Sequence, residues 1–204
     1  MRKKLFGIFM ALVMVVALMP ERAWAGGSHD HNSIHFGYWS ETDKLPTNAG
    51  NFCLLSDIIL TETWTVPAGT EGSPAVTNLC LNGHVIKVSE ESVAGKNYGM
   101  NVIKVPNYAE LNIYDCDNAT EHYFNVGTDG LWTLTTEKTD TTKTVVGGVI
   151  TGGSYDEHYG YDQGGGIFVN GGTLNLYGGN IVGNATIGES LQYGGQCAGG
   201  TGGG

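Results

Sequence analysis

The chain has 204 residues, and ten Lys and Arg stand against twenty Asp and Glu, which gives a formal net charge of −10 at pH 7. A surface this acidic repels phosphate backbones and anionic lipids, which argues against nucleic acid and membrane surfaces as partners. Glycine is frequent, with 33 residues, but no strict Gly-X-Y triplet runs through the chain, which excludes a collagen triple helix.

Residues 1–25 predict a secretory signal peptide. The basic segment MRKK is followed by an apolar run over residues 5–19 and by Ala23-Trp24-Ala25, which is typical of a cleavage site. The apolar run is shorter than the roughly 20 residues that cross a bilayer; a retained N-terminal anchor is the alternative. Cleavage leaves 6 basic and 19 acidic residues, a net charge of 6 − 19 = −13, and no arginine. We therefore expect a secreted, extracellular or cell-surface protein with no membrane contact after cleavage.

The next segment, residues 26–50, is polar and rich in turn residues, and it is predicted to form an N-terminal leader or cap. It contains His29, His31 and His35. In an extended strand, H-x-H places both imidazoles on one side, and neutral imidazole binds zinc, copper or nickel. The three histidines are therefore a candidate metal site, which the α-amine created by cleavage could join. A polar leader without metal is the alternative.

From residue 51 to residue 204 the pattern changes. Short runs rich in Val, Ile, Leu, Thr and Tyr, such as CLLSDIIL, NLCL and HVIKV, alternate with Gly, Asn, Asp and Pro, which is typical of strands joined by tight turns. No apolar period of 3.6 residues persists, so helices should be scarce. Residues 130–146, GLWTLTTEKTDTTKTVV, predict a hairpin or an elongated coil with EKTD as its turn. Phe36 and Trp39 of the leader are expected to cover the first strands.

Several of these strands repeat. LNIYDC (111–116) matches LNLYGG (174–179) at an offset of 63, and VGGVITGG (146–153) matches YGGNIVGN (177–184) at an offset of 31. Repeated units of strand, Gly or Asn corner and strand are typical of a solenoid, whose coils stack because a single coil cannot bury its own apolar face. The sequence therefore predicts an all-β fold, a right-handed parallel β-helix over residues 51–204. The final TGGG predicts that the last coil is incomplete and that further coils follow in a longer protein.

The glycines of GGGIFVNGGTLNLYGGNIVGN (164–184) are predicted to be corners of this architecture. A phosphate-binding P-loop needs G-x-x-x-x-G-K-[ST], and this region has no lysine. A dinucleotide fingerprint needs a helix after the glycines, and here a second strand follows.

The succession NAGNFCLLSDIILTETWTVPAG, NLCLNGHVIKV, LNIYDC and GGTLNLYGGNIVGNAT carries a resemblance to a known family over residues 47–204. It resembles the N-terminal part of large surface or adhesin-like proteins of Gram-positive bacteria, which are right-handed parallel β-helices of the pectate-lyase-like superfamily. The GGGI corners also resemble the Gly-Gly-aliphatic repeats of polymorphic autotransporter adhesins. The resemblance implies export, surface display and a non-enzymatic role as an adhesion or structural scaffold. Its partners would be host or cell-wall glycans or surface proteins.

A carbohydrate-active enzyme is the alternative function. The superfamily that this chain resembles includes polysaccharide lyases with an arginine base, and the chain has no arginine after residue 25. A hydrolase would instead need two or three neighbouring carboxylates. Two places could supply them: Asp115 with Asp117, and Asp156 with His158 and Asp162, the latter three being the candidate catalytic residues. Solvated turns are the competing interpretation of both, since Asp favours turns.

Calcium is the one cofactor that the residues suggest, with Asp115, Asp117 and Asp162 as oxygen ligands that could also contact carbohydrate. No EF-hand loop is present. Export permits disulfides among Cys53, Cys80, Cys116 and Cys197, for which three complete pairings exist. Buried free thiols are the alternative, and neither C-x-x-C nor a Cys/His spacing predicts structural zinc.

Overall fold

A computed structural model describes residues 29–91, 99–128, 130–156 and 164–187. These residues form mostly strands and turns, which confirms the all-β class. Within the described ranges, no helix is long and apolar enough to cross a membrane. The predicted signal peptide lies outside them.

Nineteen strands are present in the described part of the chain. In chain order they are β1 (His29–His31), β2 (Ile34–Trp39), β3 (Asn51–Leu54), β4 (Ile58–Leu60), β5 (Trp64–Thr65), β6 (Ala75–Cys80), β7 (Val85–Val88), β8 (Gly99–Met100), β9 (Ile103–Pro106), β10 (Ala109–Tyr114), β11 (Glu121–Val126), β12 (Trp132–Thr135), β13 (Lys143–Val146), β14 (Val149–Thr151), β15 (Ser154–Asp156), β16 (Ile167–Asn170), β17 (Thr173–Leu176), β18 (Asn180–Ile181) and β19 (Ala185–Ile187).

The strands are arranged mostly in parallel sheets. The first sheet has the order β1-β2-β3-β6-β10-β17, in which only the β1–β2 hairpin is antiparallel. The second (β18-β14-β7-β4) and third (β16-β9-β5) sheets are parallel throughout. A fourth sheet, β19-β15-β8, is mixed, and a fifth, β12-β11-β13, is antiparallel.

Successive strands return to the same sheets in the same order. The chain passes through the first, second and third sheets as β3, β4 and β5, again as β6, β7 and β9, and again as β10, β14 and β16. The pairing registers coincide with the sequence offsets, because Leu111 lies beside Leu174 and Val149 beside Asn180. Segments that match in sequence are therefore neighbours in space, and equivalent side chains point to the same face.

The main apolar core receives side chains from all three parallel sheets. Leu79 and Leu111 come from the first sheet, Ile86 and Ile150 from the second and Ile103 from the third, and all five are fully buried. Within the second sheet, isoleucines stand in register from strand to strand: Ile58, Ile86, Ile150 and Ile181. Each strand thus buries its apolar residue against the equivalent residue of the next pass.

An asparagine ladder runs along the first sheet. Asn51, Asn78, Asn112 and Asn175 occupy one register position on four strands. Asn78 Nδ2 donates to Asn51 Oδ1 (2.7 Å) and Asn175 Nδ2 donates to Asn112 Oδ1 (2.8 Å). Because buried amides are costly unless they are hydrogen-bonded, this ladder favours one register over its alternatives.

The leader contributes aromatic side chains to both faces of the first sheet. Phe36 is buried with Cys53, Cys80 and Tyr114, away from the main core, whereas Trp39 packs against the core itself. Successive residues of a strand point to opposite faces of the sheet, so Phe36 and Trp39 of β2, three residues apart, lie on different faces. The two aromatic residues expected to cover the first strands therefore do so on different faces.

Residues 121–146 differ from the prediction. The strands on either side of EKTD, β12 and β13, do not pair with each other, because β11 lies between them and pairs with both. Of the two alternatives predicted for residues 130–146, the hairpin is therefore wrong, and the elongated coil stays a prediction. Phe124 of β11 is fully buried against Val85 and Val149, and this packing holds the three-stranded sheet on the outside of the second sheet.

Candidate functional site

Two histidines and two cysteines converge beside the β1–β2 hairpin, and we call these four residues the His/Cys cluster. His29 Nε2 and His31 Nε2 lie 2.9 Å apart, and they lie 3.6 Å and 3.1 Å from Cys80 Sγ. Cys116 Sγ lies 3.7 Å from Cys80 Sγ, and all four ligand atoms fall within 4.8 Å of one another. Imidazole nitrogen and sulfur are donors that bind late first-row metal ions.

Three distant parts of the chain build this cluster. Both histidines lie on β1, where alternation puts their rings on one side. Cys80 ends β6 and stands in register with Tyr114 of β10, so Cys116, two residues later, reaches the same place. The parallel register therefore brings together residues that are 36 positions apart.

Aromatic contacts hold the imidazoles in place. The His31 ring stacks on Tyr114, with centroids 5.3 Å apart and an interplanar angle of 26°. It also contacts Phe36 edge to face at 5.3 Å, and the His29 ring contacts Phe36 at 6.1 Å. Tyr114 stacks in turn on Tyr177 at 4.9 Å. The hairpin rings are thereby joined to the side-chain stack of the first sheet.

His35 is separate from the cluster. On β2 it pairs across the hairpin with Asp30, and its Nδ1 lies 2.5 Å from Asp30 Oδ1. Both side chains are exposed to solvent. The structure thus brings together two of the three histidines singled out from the sequence and adds two cysteines to them.

The local environment favours the protonated thiol form of both cysteines and the neutral form of His31. Burial lowers the pKa of His31, and the neighbouring His29 lowers it further. A hydrogen bond with Cys53, together with burial, raises the pKa of Cys80. Burial and the adjacent Cys80 raise the pKa of Cys116 to about 12. A cation that binds here must therefore displace thiol protons, as metals do on binding cysteine.

The three described cysteines are free thiols. Cys53 and Cys80 are register neighbours on β3 and β6, and Cys80 also faces Cys116. A disulfide needs sulfur atoms about 2.05 Å apart, so each pairing requires a local shift. Cys197 lies outside the described residues, and the disulfide prediction stays a prediction.

The carboxylates singled out as calcium or carbohydrate ligands make bonds to the backbone. Asp115 accepts hydrogen bonds from the N–H groups of Gly83 (2.8 Å), in the preceding pass of the chain, and of Gly148 (2.7 Å), directly before β14 in its own pass. Asp117 accepts from the N–H groups of Ala119 and Thr120, and these bonds lower its pKa. Both residues thus organise corners of the fold.

Of the candidate catalytic residues Asp156, His158 and Asp162, the structure describes only Asp156. Asp156 is the last residue of β15, and its backbone pairs with Ile187. His158 and Asp162 lie outside the described residues, so their proposed catalytic and calcium-binding roles stay predictions.

A polar groove of about 740 Å³ adjoins the His/Cys cluster at His29. Asp57, His84, Asp117 and His122 line it with charged and hydrogen-bonding groups. The other lining residues are Tyr38, Leu55, Asn82, Gly83 and Thr120. Within it, Asp57 Oδ1 accepts from Val85 N–H (2.9 Å) and lies 3.3 Å from His84 Nδ1. The groove offers acceptors, donors and an exposed aromatic face together, a combination suited to polyhydroxylated ligands.

Asp57 should make stability depend on acid pH. The hydrogen bond with His84 and that from Val85 lower the pKa of Asp57 below its ordinary value. The unfolded chain therefore binds this proton first as pH falls, so the contribution of Asp57 is complete above about pH 5 and is lost below its folded pKa. We expect Asp57→Asn to cost about 0.5–1 kcal/mol at pH 6, since the carboxylate is about half exposed. The cost should vanish near pH 2.

Urea denaturation of both proteins between pH 2 and pH 7 measures this difference. Asp43→Asn is the control, because Asp43 is exposed on the loop after β2. A deficit for Asp57→Asn that stays constant down to pH 2 would contradict the hydrogen bonds assigned to the Asp57 carboxylate.

Comparison of the chain with family models, with curated proteins and with solved structures finds no match in any of the three. The assignment of function therefore rests on the residues and on their geometry.

Two features of the site have little signal in the sequence. The His/Cys cluster joins His31 to Cys80 across 49 positions, with no short ligand spacing. The similarity between strands contained a clue to the cysteine pair. Aligning NLCL (78–81) with NIYD (112–115) places Cys80 opposite Tyr114, and Cys116 follows Tyr114 by two residues. The groove has no linear signature, because its lining residues come from three strands and three loops.

Proposed function

We propose that this chain is an exported, non-enzymatic scaffold of the cell surface, built as a right-handed parallel β-helix with each pass through the three sheets as one coil. The observation that carries the proposal is the register: β3, β6, β10 and β17 stack in parallel in the order in which the chain makes them. A stack of this kind is stabilised by contacts between neighbouring coils, and it presents its loops along a rigid axis. Such a body suits a spacer or an adhesion platform better than an enclosed active site.

The ladders support rigidity. The isoleucines of the second sheet and the asparagines of the first sheet place equivalent side chains over one another from coil to coil. Apolar stacking makes neighbouring coils mutually dependent, because the outermost coil alone would expose its inner face. The hydrogen bonds between asparagine side chains oppose a shift of the strand register by one residue, because such a shift would place apolar side chains opposite the asparagines.

The carboxylates argue for a role without catalysis. A glycosidase needs one carboxyl group that keeps its proton near neutral pH. Asp117 has a lowered pKa, and Asp115 already receives two backbone hydrogen bonds. Both are thus used to form corners, which favours a scaffold over the carbohydrate-active alternative.

Export is supported by the N-terminal pattern of basic residues, apolar run and Ala23-Trp24-Ala25, and by the acidic surface that remains after it. For adhesion, the polar groove beside the hairpin provides a binding surface for a neutral glycan. Tyr38, at its edge, is 40% exposed and offers a ring face on which a sugar can stack.

The test uses the full chain, expressed with its own N-terminal segment in a bacterial host and recovered from the medium. Incubated with neutral and acidic polysaccharides, it should release no reducing ends and no unsaturated products, while affinity electrophoresis should show retention by at least one neutral glycan. Tyr38→Ala should reduce that retention at least threefold. Tyr177→Ala is the matched control, since Tyr177 is 64% exposed and lies on β17's sheet edge, outside the groove.

Turnover of any polysaccharide would contradict the scaffold proposal and favour the alternative function, a carbohydrate-active enzyme. Retention of the protein in the cytoplasm, with its first 25 residues intact, would contradict export. Equal loss of retention in both tyrosine variants would remove the groove from the proposal.

A further inference from the structure

We propose that His29, His31, Cys80 and Cys116 form a structural zinc site that fastens the β1–β2 hairpin to the outer face of the first sheet. This site does not depend on the proposed surface function, because it would serve any protein with this fold.

The positions of the ligand atoms fit the ion. With Zn–N bonds of about 2.0–2.1 Å and Zn–S bonds of about 2.3 Å, a tetrahedral site has edges of about 3.3 Å between nitrogens, 3.6 Å from nitrogen to sulfur and 3.8 Å between sulfurs. The corresponding edges here are 2.9 Å between the imidazole nitrogens, 3.1 Å and 3.6 Å from them to Cys80 Sγ, and 3.7 Å between the sulfurs. Shifts of a few tenths of an ångström bring these four edges to their ideal lengths. The remaining two, from Cys116 Sγ to the imidazole nitrogens, lie within 4.8 Å and must shorten to about 3.6 Å to complete the tetrahedron.

The donor set selects the metal and its role. Two sulfurs and two imidazoles in tetrahedral arrangement favour zinc among the common divalent ions. Since the protein supplies all four ligands, no position stays open for water or substrate, which is the mark of a structural rather than a catalytic site. Two thiolates also neutralise the charge of the ion.

The fold prepares the site before metal arrives. The parallel register sets Cys80 beside Tyr114, which precedes Cys116 by two residues. Tyr114 also stacks on His31 and so orients the imidazole ring. The two ligands from the hairpin and the two from the coils thus meet across a packed apolar patch that contains Phe36. Zinc would join segments that are otherwise connected only by the edge of the sheet and this patch.

A disulfide between Cys80 and Cys116 is the competing arrangement. It would bring the sulfurs from 3.7 Å to about 2.05 Å and remove both thiolate ligands. Zinc binding and this disulfide are therefore mutually exclusive, and the same sample can be examined for both.

The full chain, purified under reducing conditions and stripped with a chelator, is titrated with zinc against a competing chromophoric chelator. We expect one zinc ion per chain. Cobalt in place of zinc should give the charge-transfer band of thiolate ligation and the intense visible absorption of a tetrahedral site. Hydrogen exchange of the hairpin amides should slow at least tenfold when zinc is added.

Cys80→Ser, Cys116→Ser, His29→Ala and His31→Ala should each weaken binding at least tenfold. His35→Ala is the matched control for the histidine variants, since it removes a neighbouring imidazole outside the cluster. Cys53→Ala removes the thiol that hydrogen-bonds with Cys80 but no ligand, so it should still bind one zinc ion per chain. Comparison of all variants without metal by circular dichroism separates loss of a ligand from loss of the fold.

Absence of stoichiometric zinc binding by the folded, reduced chain would overturn the proposal. So would binding that survives replacement of both Cys80 and Cys116, or a Cys80–Cys116 disulfide in the protein as it is exported, with no zinc bound. A glycan-retention result of either sign leaves these outcomes unaffected, so failure of the site and failure of the surface function are distinguishable.

Discussion

Ile86→Ala should lower the free energy of unfolding by about 2–5 kcal/mol, which is the usual range for removing a fully buried isoleucine side chain. Ile86 is 0% exposed at the centre of the second sheet, and its register neighbours are Ile58 on one side and Ile150 on the other. The cavity would open against both neighbouring strands, β4 and β14, at once. Since the neighbouring strands are held by backbone hydrogen bonds, they can close it only partly.

Ile59→Ala is the control, because it makes the same chemical change one residue after Ile58 on the same sheet. Ile59 is 46% exposed and points outward. We expect it to cost less than about 1 kcal/mol, as for other surface substitutions. Guanidinium denaturation of both variants measures their free energies of unfolding. Similar losses for the two variants would contradict the burial of the second sheet's inner face.

Gly147→Ala should cost about 3 kcal/mol. Gly147 has a φ of +88°, a conformation that costs an alanine about 1–2 kcal/mol. An added Cβ would also contact Asp115 Oδ2 and lie 2.9 Å from the carbonyl oxygen of Asp117. Displacing the Asp115 carboxylate breaks its bonds to Gly83 and Gly148, which adds about 1–3 kcal/mol for backbone donors left without a partner.

Gly72→Ala separates these contributions. Gly72 has a similar φ of +81°, but no atom lies within 4 Å of the position of its Cβ. Only the backbone cost of about 1–2 kcal/mol should therefore appear. Thermal and urea unfolding of the two variants give the difference, and a Gly147→Ala protein as stable as Gly72→Ala would mean that Asp115 does not hold this corner.

Local patterns in the sequence predicted the strands because alternation and turn residues act over a few positions. The runs NLCL, HVIKV and LNIY all fall within or overlap strands, and the glycine at 147 is a corner with positive φ, as the Gly-rich punctuation indicated. The repeat offsets of 63 and 31 were readable for the same reason, since equal environments in neighbouring passes select similar residues.

Pairing between strands was harder to predict. The insert around EKTD reads as a hairpin, because β12 and β13 are adjacent in sequence; the burial of Phe124 instead places β11 between them. The H-x-H motif identified His29 and His31, but His35, two positions beyond the turn, faces Asp30 across the hairpin. Alternation predicts which side chains share a strand face, whereas the turn decides which strand they meet.

The sequence alone thus determined the strand-rich class, the acidic surface, the corner glycines and the offset between matching strands, since each depends on composition or short-range spacing. Only the tertiary structure decided that two histidines of the leader meet Cys80 and Cys116, and that Asp115 joins the corner at Gly83 in the preceding pass to the corner at Gly148 in its own. Those contacts join residues about 30 to 90 positions apart, and they exist because parallel strands place distant segments side by side.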